Sequence, residues 1–167
     1  MPKPSNENSV RTQKVLFICT GNYYRSRFAE AFFNYSVDQR KRGDPLRRWR
    51  AFSRGLEISR LSSKQNQVPV SIYTTQELSR LKIPLSYVDG QPTQFQPQDL
   101  DQADSIVALS ESEHRPLFKE LFPRVSLDRV SFWTVEDLHL TQFSSALDAI
   151  RVQVTQLLEK LARSRFD

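Results

Sequence analysis

Lys14-Val15-Leu16-Phe17-Ile18-Cys19-Thr20-Gly21-Asn22-Tyr23-Tyr24-Arg25-Ser26 opens on a short apolar run, turns sharply at Gly21-Asn22, and leads into a helical pattern. An uninterrupted apolar run of this length fits a strand buried on both faces. The helix that follows, over about Ser26 to Gln39, repeats apolar residues at Phe28, Ala29, Ala31, Phe32, Phe33 and Tyr35, and Gly43 and Pro45 close it. A buried strand, a tight turn and a helix in that order predict an α/β fold with a parallel sheet.

The same alternation continues along the chain. Arg50 to Ser53, Asp104 to Ser110 and Arg129 to Val135 read as strands. Val70 to Leu81 reads as a helix with Ile72, Tyr73, Leu78 and Leu81 on its apolar side. Glu111 to Phe122 reads as a helix stopped by Pro123, with His114 in its first turn at the surface. Residues 56–68 and 83–98 read as loops. From Phe143 to Leu161 the apolar residues step by three and four, which predicts one long amphipathic helix capped by Ser144 or Ser145. The expected architecture is three layers, αβα, around a four-stranded parallel sheet with a phosphate-binding loop near the N-terminus. Residues 1–13 read as a disordered lead-in and residues 14–167 as a single domain.

Composition narrows the chemistry. One cysteine and two histidines leave no material for a disulfide framework or a zinc site, so no metal or cofactor is expected. A lone thiol suits a reducing compartment, and no signal-peptide core is visible, so the expected location is cytoplasmic. No apolar run approaches the roughly 18 residues of a membrane helix. The net charge is +5, with basic residues clustered at Arg40-Lys41-Arg42 and Arg47-Arg48-Trp49-Arg50. Acidic residues are spread through the rest, and no nucleic-acid-binding motif is present, so the cluster reads as a solvated helix end, with a docking patch for an acidic partner as the alternative.

Cys19 stands where ligands bind in open parallel sheets, beyond the C-terminal end of a strand. A loop wrapping an anion aims successive backbone N–H groups inward, and the helix start adds partial positive charge. Thr20, Gly21, Asn22, Tyr23, Tyr24, Arg25 and Ser26 would line that cradle. Gly21 permits close backbone approach, Asn22 tolerates the left-handed region, and Arg25 can fork to two phosphate oxygens. Such a field favours a thiolate, so Cys19 is the candidate nucleophile toward phosphorus. Of Tyr23 and Tyr24, one is expected at the pocket mouth and one in the core.

These residues resemble the low-molecular-weight protein tyrosine phosphatases, in a bacterial-type member. That family's loop reads C-x-G-N-x-C-R-S-P and continues toward A-E, and this chain has Cys19 to Ser26, Arg27, Phe28, Ala29 and Glu30. Ser53-Arg54-Gly55 and Asp104 to Val107 resemble two of its strand segments. The resemblance implies that Cys19 attacks the phosphoryl group, Arg25 binds it, Ser26 hydrogen-bonds the thiolate and Asn22 holds the loop. It also implies a general acid after the fourth strand, at Asp137, with Glu136 and His139 as fallbacks. Three departures stand out: Tyr24 replaces a frequent second cysteine, Arg27 replaces the helix-start proline, and Leu138 follows Asp137 where the family has proline. The implied activity is phosphomonoester hydrolysis through a cysteinyl-phosphate. Its substrate would be a phosphorylated protein or a small aryl phosphate, and inorganic phosphate its product. The alternatives are an arsenate reductase on the same fold using an external thiol, and a non-catalytic phosphate- or phosphoprotein-binding module.

Overall fold

A computed structural model of the chain describes residues 11–60, 68–136 and 143–164. Four strands, β1 (Gln13–Cys19), β2 (Trp49–Gly55), β3 (Ser105–Ala108) and β4 (Val130–Phe132), form one parallel sheet in the order β2-β1-β3-β4. Five helices accompany them among the described residues: α1 (Arg25–Asp38), α2 (Ile72–Arg80), α3 (Gln98–Gln102), α4 (Glu111–Leu121) and α5 (Phe143–Arg163).

β1 is the hinge of this arrangement. The chain runs from β1 out to β2 on one side and returns to β3 on the other, so the strand order reverses beside the end of β1. Successive β1 side chains face opposite layers. Val15 and Phe17 join the larger apolar cluster with Phe28, Phe33, Leu147, Ile150 and Val154 of α1 and α5. Leu16 and Ile18 join the second cluster with Phe95, Leu117 and Phe118. All four β1 residues are fully buried, at about 1.5–3 kcal/mol for a side chain of this kind. The strand that carries Cys19 is therefore firmly anchored from both layers.

Several expectations are adjusted. β1 begins at Gln13, inside the expected lead-in, and Arg11 pairs with Asp104; residues 1–10 lie outside the described residues. β3 and β4 are shorter than their apolar runs, although Leu109, Trp133 and Val135 go on donating to neighbouring backbone carbonyls beyond the ladder. α2 begins at Ile72 behind a Ser71 cap, and Ile72 and Tyr73 face outward at 59% and 36% exposure; Thr74 and Leu78 form its buried side. A 3-10 turn at Leu85–Val88 interrupts the expected loop, and α3, too short for a period to show, begins where that loop ends. α5 starts at Phe143, so Ser144 and Ser145 fall inside its first turn rather than ahead of it. In the basic cluster, Arg47 donates to the carbonyls of Asp38 and Arg40 at the end of α1, and Arg50 pairs with Asp38. These two cations finish a helix end.

Candidate active site

Between the end of β1 and the start of α1, the chain from Cys19 to Arg25 folds into a loop whose carbonyls all have external partners where they can be traced. Cys19 O accepts from Leu56 N, Thr20 O from Glu57 N, Tyr23 O from Ser71 N, and Tyr24 O from Phe28 N and Thr74 Oγ1. Asn22 O faces Arg27 Nη1 at 3.5 Å. In a trans peptide the N–H opposes the preceding C=O. Carbonyls turned outward thus leave the N–H groups of the following residues facing the hollow of the loop, as an anion cradle requires.

Asn22 makes the corner. It is the loop's left-handed residue, with φ 49°, and it is buried. Its Nδ2 donates to Ser26 Oγ at 3.0 Å and Ser53 Oγ at 2.9 Å, and its Oδ1 accepts from Thr93 N at 2.8 Å. Gly55 lies directly beneath: a Cβ there would stand 2.8 Å from both Thr20 O and Asn22 N. The Ser53-Arg54-Gly55 segment is thus the seat of the loop, with Ser53 also donating to Glu30. Burial raises the Glu30 carboxyl above its usual range, against the opposing pull of Ser53, Arg27 and Arg54.

Cys19 and Arg25 stand at the two ends of the loop. Cys19 Sγ lies 2.9 Å from Ser26 Oγ. Ser26 Oγ already accepts from Asn22, so its own proton is available to the sulfur. Arg25, 3% exposed, donates from Nη1 and Nη2 to the two carboxylate oxygens of Glu113 at 2.9 and 2.8 Å, and from Nη1 to Val135 O at 2.9 Å. Thr20 Oγ1 donates to the same Glu113 at 2.5 Å.

Glu113 is the site residue that the sequence reading missed. Burial alone would raise its carboxyl, but the neighbouring His114, Arg25 and Thr20 outweigh this and hold it far below the usual carboxylate range. It stays ionised and serves as an anchor, with no proton to give. Ser110-x-x-Glu113 has the form of a capping box, in which the glutamate would bond the Ser110 N–H. Here His114 Nδ1 accepts that N–H at 3.0 Å, which frees Glu113 to reach across to the loop. His114 is correspondingly fully buried, not a surface residue, with Nε2 3.6 Å from Glu113 Oε1. An acid in the first turn after the strand beside β1 was the available signal.

The two tyrosines divide. Tyr24 is 6% exposed and belongs to the larger core cluster; Tyr23 is half-buried and packs against it. Arg27, which stands at the helix start in place of the proline, is buried and directed to the carbonyls of residues 88–90. Asp137 and His139 lie outside the described residues. Glu136 accepts from Ser112 Oγ at 3.0 Å. No cluster of three or more metal-ligating side chains occurs among the described residues, and no described helix is long and apolar enough to cross a membrane.

Among curated proteins none matches the sequence. The family model for low molecular weight phosphotyrosine protein phosphatase matches residues 14–166. Among solved structures, YfkJ from Bacillus subtilis is similar with a TM-score of 0.75 and 22% identity, covering 92% of this chain and 96% of its own. The low molecular weight protein tyrosine phosphatase from T. tengcongensis gives 0.69 and 24%, covering 89% and 99%. A thioredoxin-dependent arsenate reductase from Corynebacterium glutamicum gives 0.66 and 14%, covering 93% and 65%. At these identities the structures attest the fold.

Proposed function

Since this chain belongs to the low molecular weight phosphotyrosine protein phosphatase family, we propose that it hydrolyses phosphomonoesters through a cysteinyl-phosphate on Cys19. The observation that carries the reading is the joint placement of Cys19 Sγ beside the Ser26 hydroxyl and of Arg25, held by Glu113, at one loop of inward N–H groups.

The Cys19 thiolate attacks phosphorus while the bond from phosphorus to the ester oxygen breaks. Inward N–H groups and Arg25 take up the charge on the three phosphoryl oxygens. The departing oxygen needs a proton, and Asp137 supplies it. Arg25 already bonds the carbonyl of Val135, and Asp137 follows two residues later, a span of about 7 Å at full extension. In the second step Asp137 takes a proton from water, the water oxygen bonds to phosphorus, the sulfur–phosphorus bond breaks, and inorganic phosphate leaves. Substrates of this reading are phosphorylated proteins or aryl phosphates.

Hydrolysis of para-nitrophenyl phosphate in the presence of a chelator tests the reading. Wild type turns over, Cys19→Ser loses activity completely, and Asp137→Asn loses roughly 10²–10⁴-fold in kcat. The Asp137→Asn loss shrinks for esters whose leaving groups need less protonation. Full activity in Cys19→Ser would refute the nucleophile. Thiol-dependent arsenate consumption without ester hydrolysis would make the protein a reductase, and phosphate binding without either would make it a binding module.

A further inference from the structure

Arg27 occupies an expensive position. It is 2% exposed, in the first turn of α1, where the helix dipole opposes a cation. Burial pushes its guanidinium below the usual arginine range, while Glu30, Cys19 and Asp89 pull it back. A neutral side chain of similar volume would fill the same space without that desolvation cost.

What the guanidinium does there is specific. Nη2 donates to the carbonyls of Val88, Asp89 and Gly90 at 3.1, 3.2 and 2.8 Å, at and just beyond the end of the Leu85–Val88 turn. Nη1 faces Asn22 O at 3.5 Å. The segment after Gly90 then returns to the loop: Thr93 N donates to Asn22 Oδ1, Thr93 O accepts from Gly55 N, and Phe95 N donates to Gly55 O. The Asn22 corner is therefore held to the 88–95 segment from two sides, by Thr93 at its side chain and by Arg27 at its backbone.

We infer that Arg27 is a positioning residue for phosphate capture: its two-pronged guanidinium clamps the left-handed Asn22 corner to the 88–90 segment, so the loop's N–H groups are already aimed when the anion arrives. The inference rests on the phosphate-binding reading of the loop above. The clamp needs both nitrogens at once, one toward Asn22 and one toward the three carbonyls. A lysine keeps the charge but is a single point and cannot span them. A misplaced corner would swing several N–H donors together, and a shift of about 1 Å in such a site can cost about 10²-fold.

The test compares wild type, Arg27→Met and Arg27→Lys in three measurements: inorganic phosphate affinity by calorimetry, kcat and KM for para-nitrophenyl phosphate, and thermal unfolding. Arg27→Met is expected to bind phosphate about tenfold more weakly and to lose about 10–10²-fold in kcat/KM, while remaining folded at the assay temperature. Arg27→Lys is expected to fall between, several-fold weaker in phosphate binding. Either variant folding with phosphate affinity and kcat/KM within about twofold of wild type would overturn the clamp, and a lowered unfolding temperature alone would leave Arg27 a purely structural residue. If Arg27→Met fails to fold, Arg27→Lys decides. Phosphate binding needs no turnover, so a wild type that binds phosphate but hydrolyses nothing would reject the hydrolase reading and leave the clamp to be judged by affinity. A wild type that binds no phosphate would overturn both.

Discussion

The two flanks of the phosphate loop are fastened by different chemistry. Toward β3 and α4, one ionised carboxylate, Glu113, gathers Thr20 at the start of the loop and Arg25 at its end. Toward β2 and the 88–95 segment, the Asn22 corner is held by an amide, hydroxyls, backbone groups and the Arg27 guanidinium directed at carbonyls. On the proposed reading, the first flank fixes the group that would meet the phosphate and the second fixes the shape into which it would fit. The first depends on a titrating acid. The second carries no carboxylate bond of its own to Asn22; a carboxylate, Glu30, enters it one bond removed, through Ser53.

Breaking the ionic flank at the arginine is expected to cost most. Arg25→Lys keeps a charge but loses the fork that bonds Glu113 and, on the proposed reading, would also meet phosphate, and kcat/KM should fall about 10²–10³-fold. A loss within about twofold would show that the fork is dispensable. On the neutral flank, Asn22→Gly tolerates the positive φ while removing three side-chain hydrogen bonds. Its kcat/KM should drop by up to about 10²-fold, and an unchanged value would show that backbone conformation alone holds the corner.

Glu113→Gln should cost less, about tenfold, the low end of a charge-assisted hydrogen bond, since a glutamine oxygen still accepts one donor from Arg25. A larger loss than in Asn22→Gly would show that Glu113 holds the loop more firmly than the Asn22 side chain does. The smallest expected effect is on stability. The Glu113 carboxyl is held below its unfolded value of 4.5. Its contribution is therefore complete above that value and fades as pH falls toward the depressed native one. Urea unfolding of wild type and Glu113→Gln should differ by a constant amount near neutrality and converge as pH falls below about 4.5. A gap that widens in acid would contradict the ionised anchor.

Much of this was legible in the chain because the deciding signals are local. Val15 to Ile18 face two layers, so an unbroken apolar run could be read as a central strand. Gly21-Asn22 before a helical pattern marked the loop, and the left-handed residue is indeed Asn22. Glu113 and Arg27 were not legible for a shared reason: each works on residues distant in sequence. Glu113 lies in a fragment that reads as a capping box, and only the diversion of His114 to Ser110 N–H releases it. Arg27 showed only as a departure from proline at a helix start, and its partners are carbonyls about 60 residues on, at a turn with no periodic signature. The apolar side of α2 was misjudged because Ile72 and Tyr73 stay exposed while Thr74 turns inward to bond the Tyr24 carbonyl.

The central claim is that Cys19 carries the phosphoryl group between the two steps. Acid-quenching wild type and Asp137→Asn during turnover of para-nitrophenyl phosphate, followed by intact-mass and peptide analysis, reads this directly. One phosphoryl group is expected on the protein, located at Cys19 and absent from Cys19→Ser. Steady hydrolysis with no phosphoryl group on sulfur, and with Cys19→Ser still active, would contradict it.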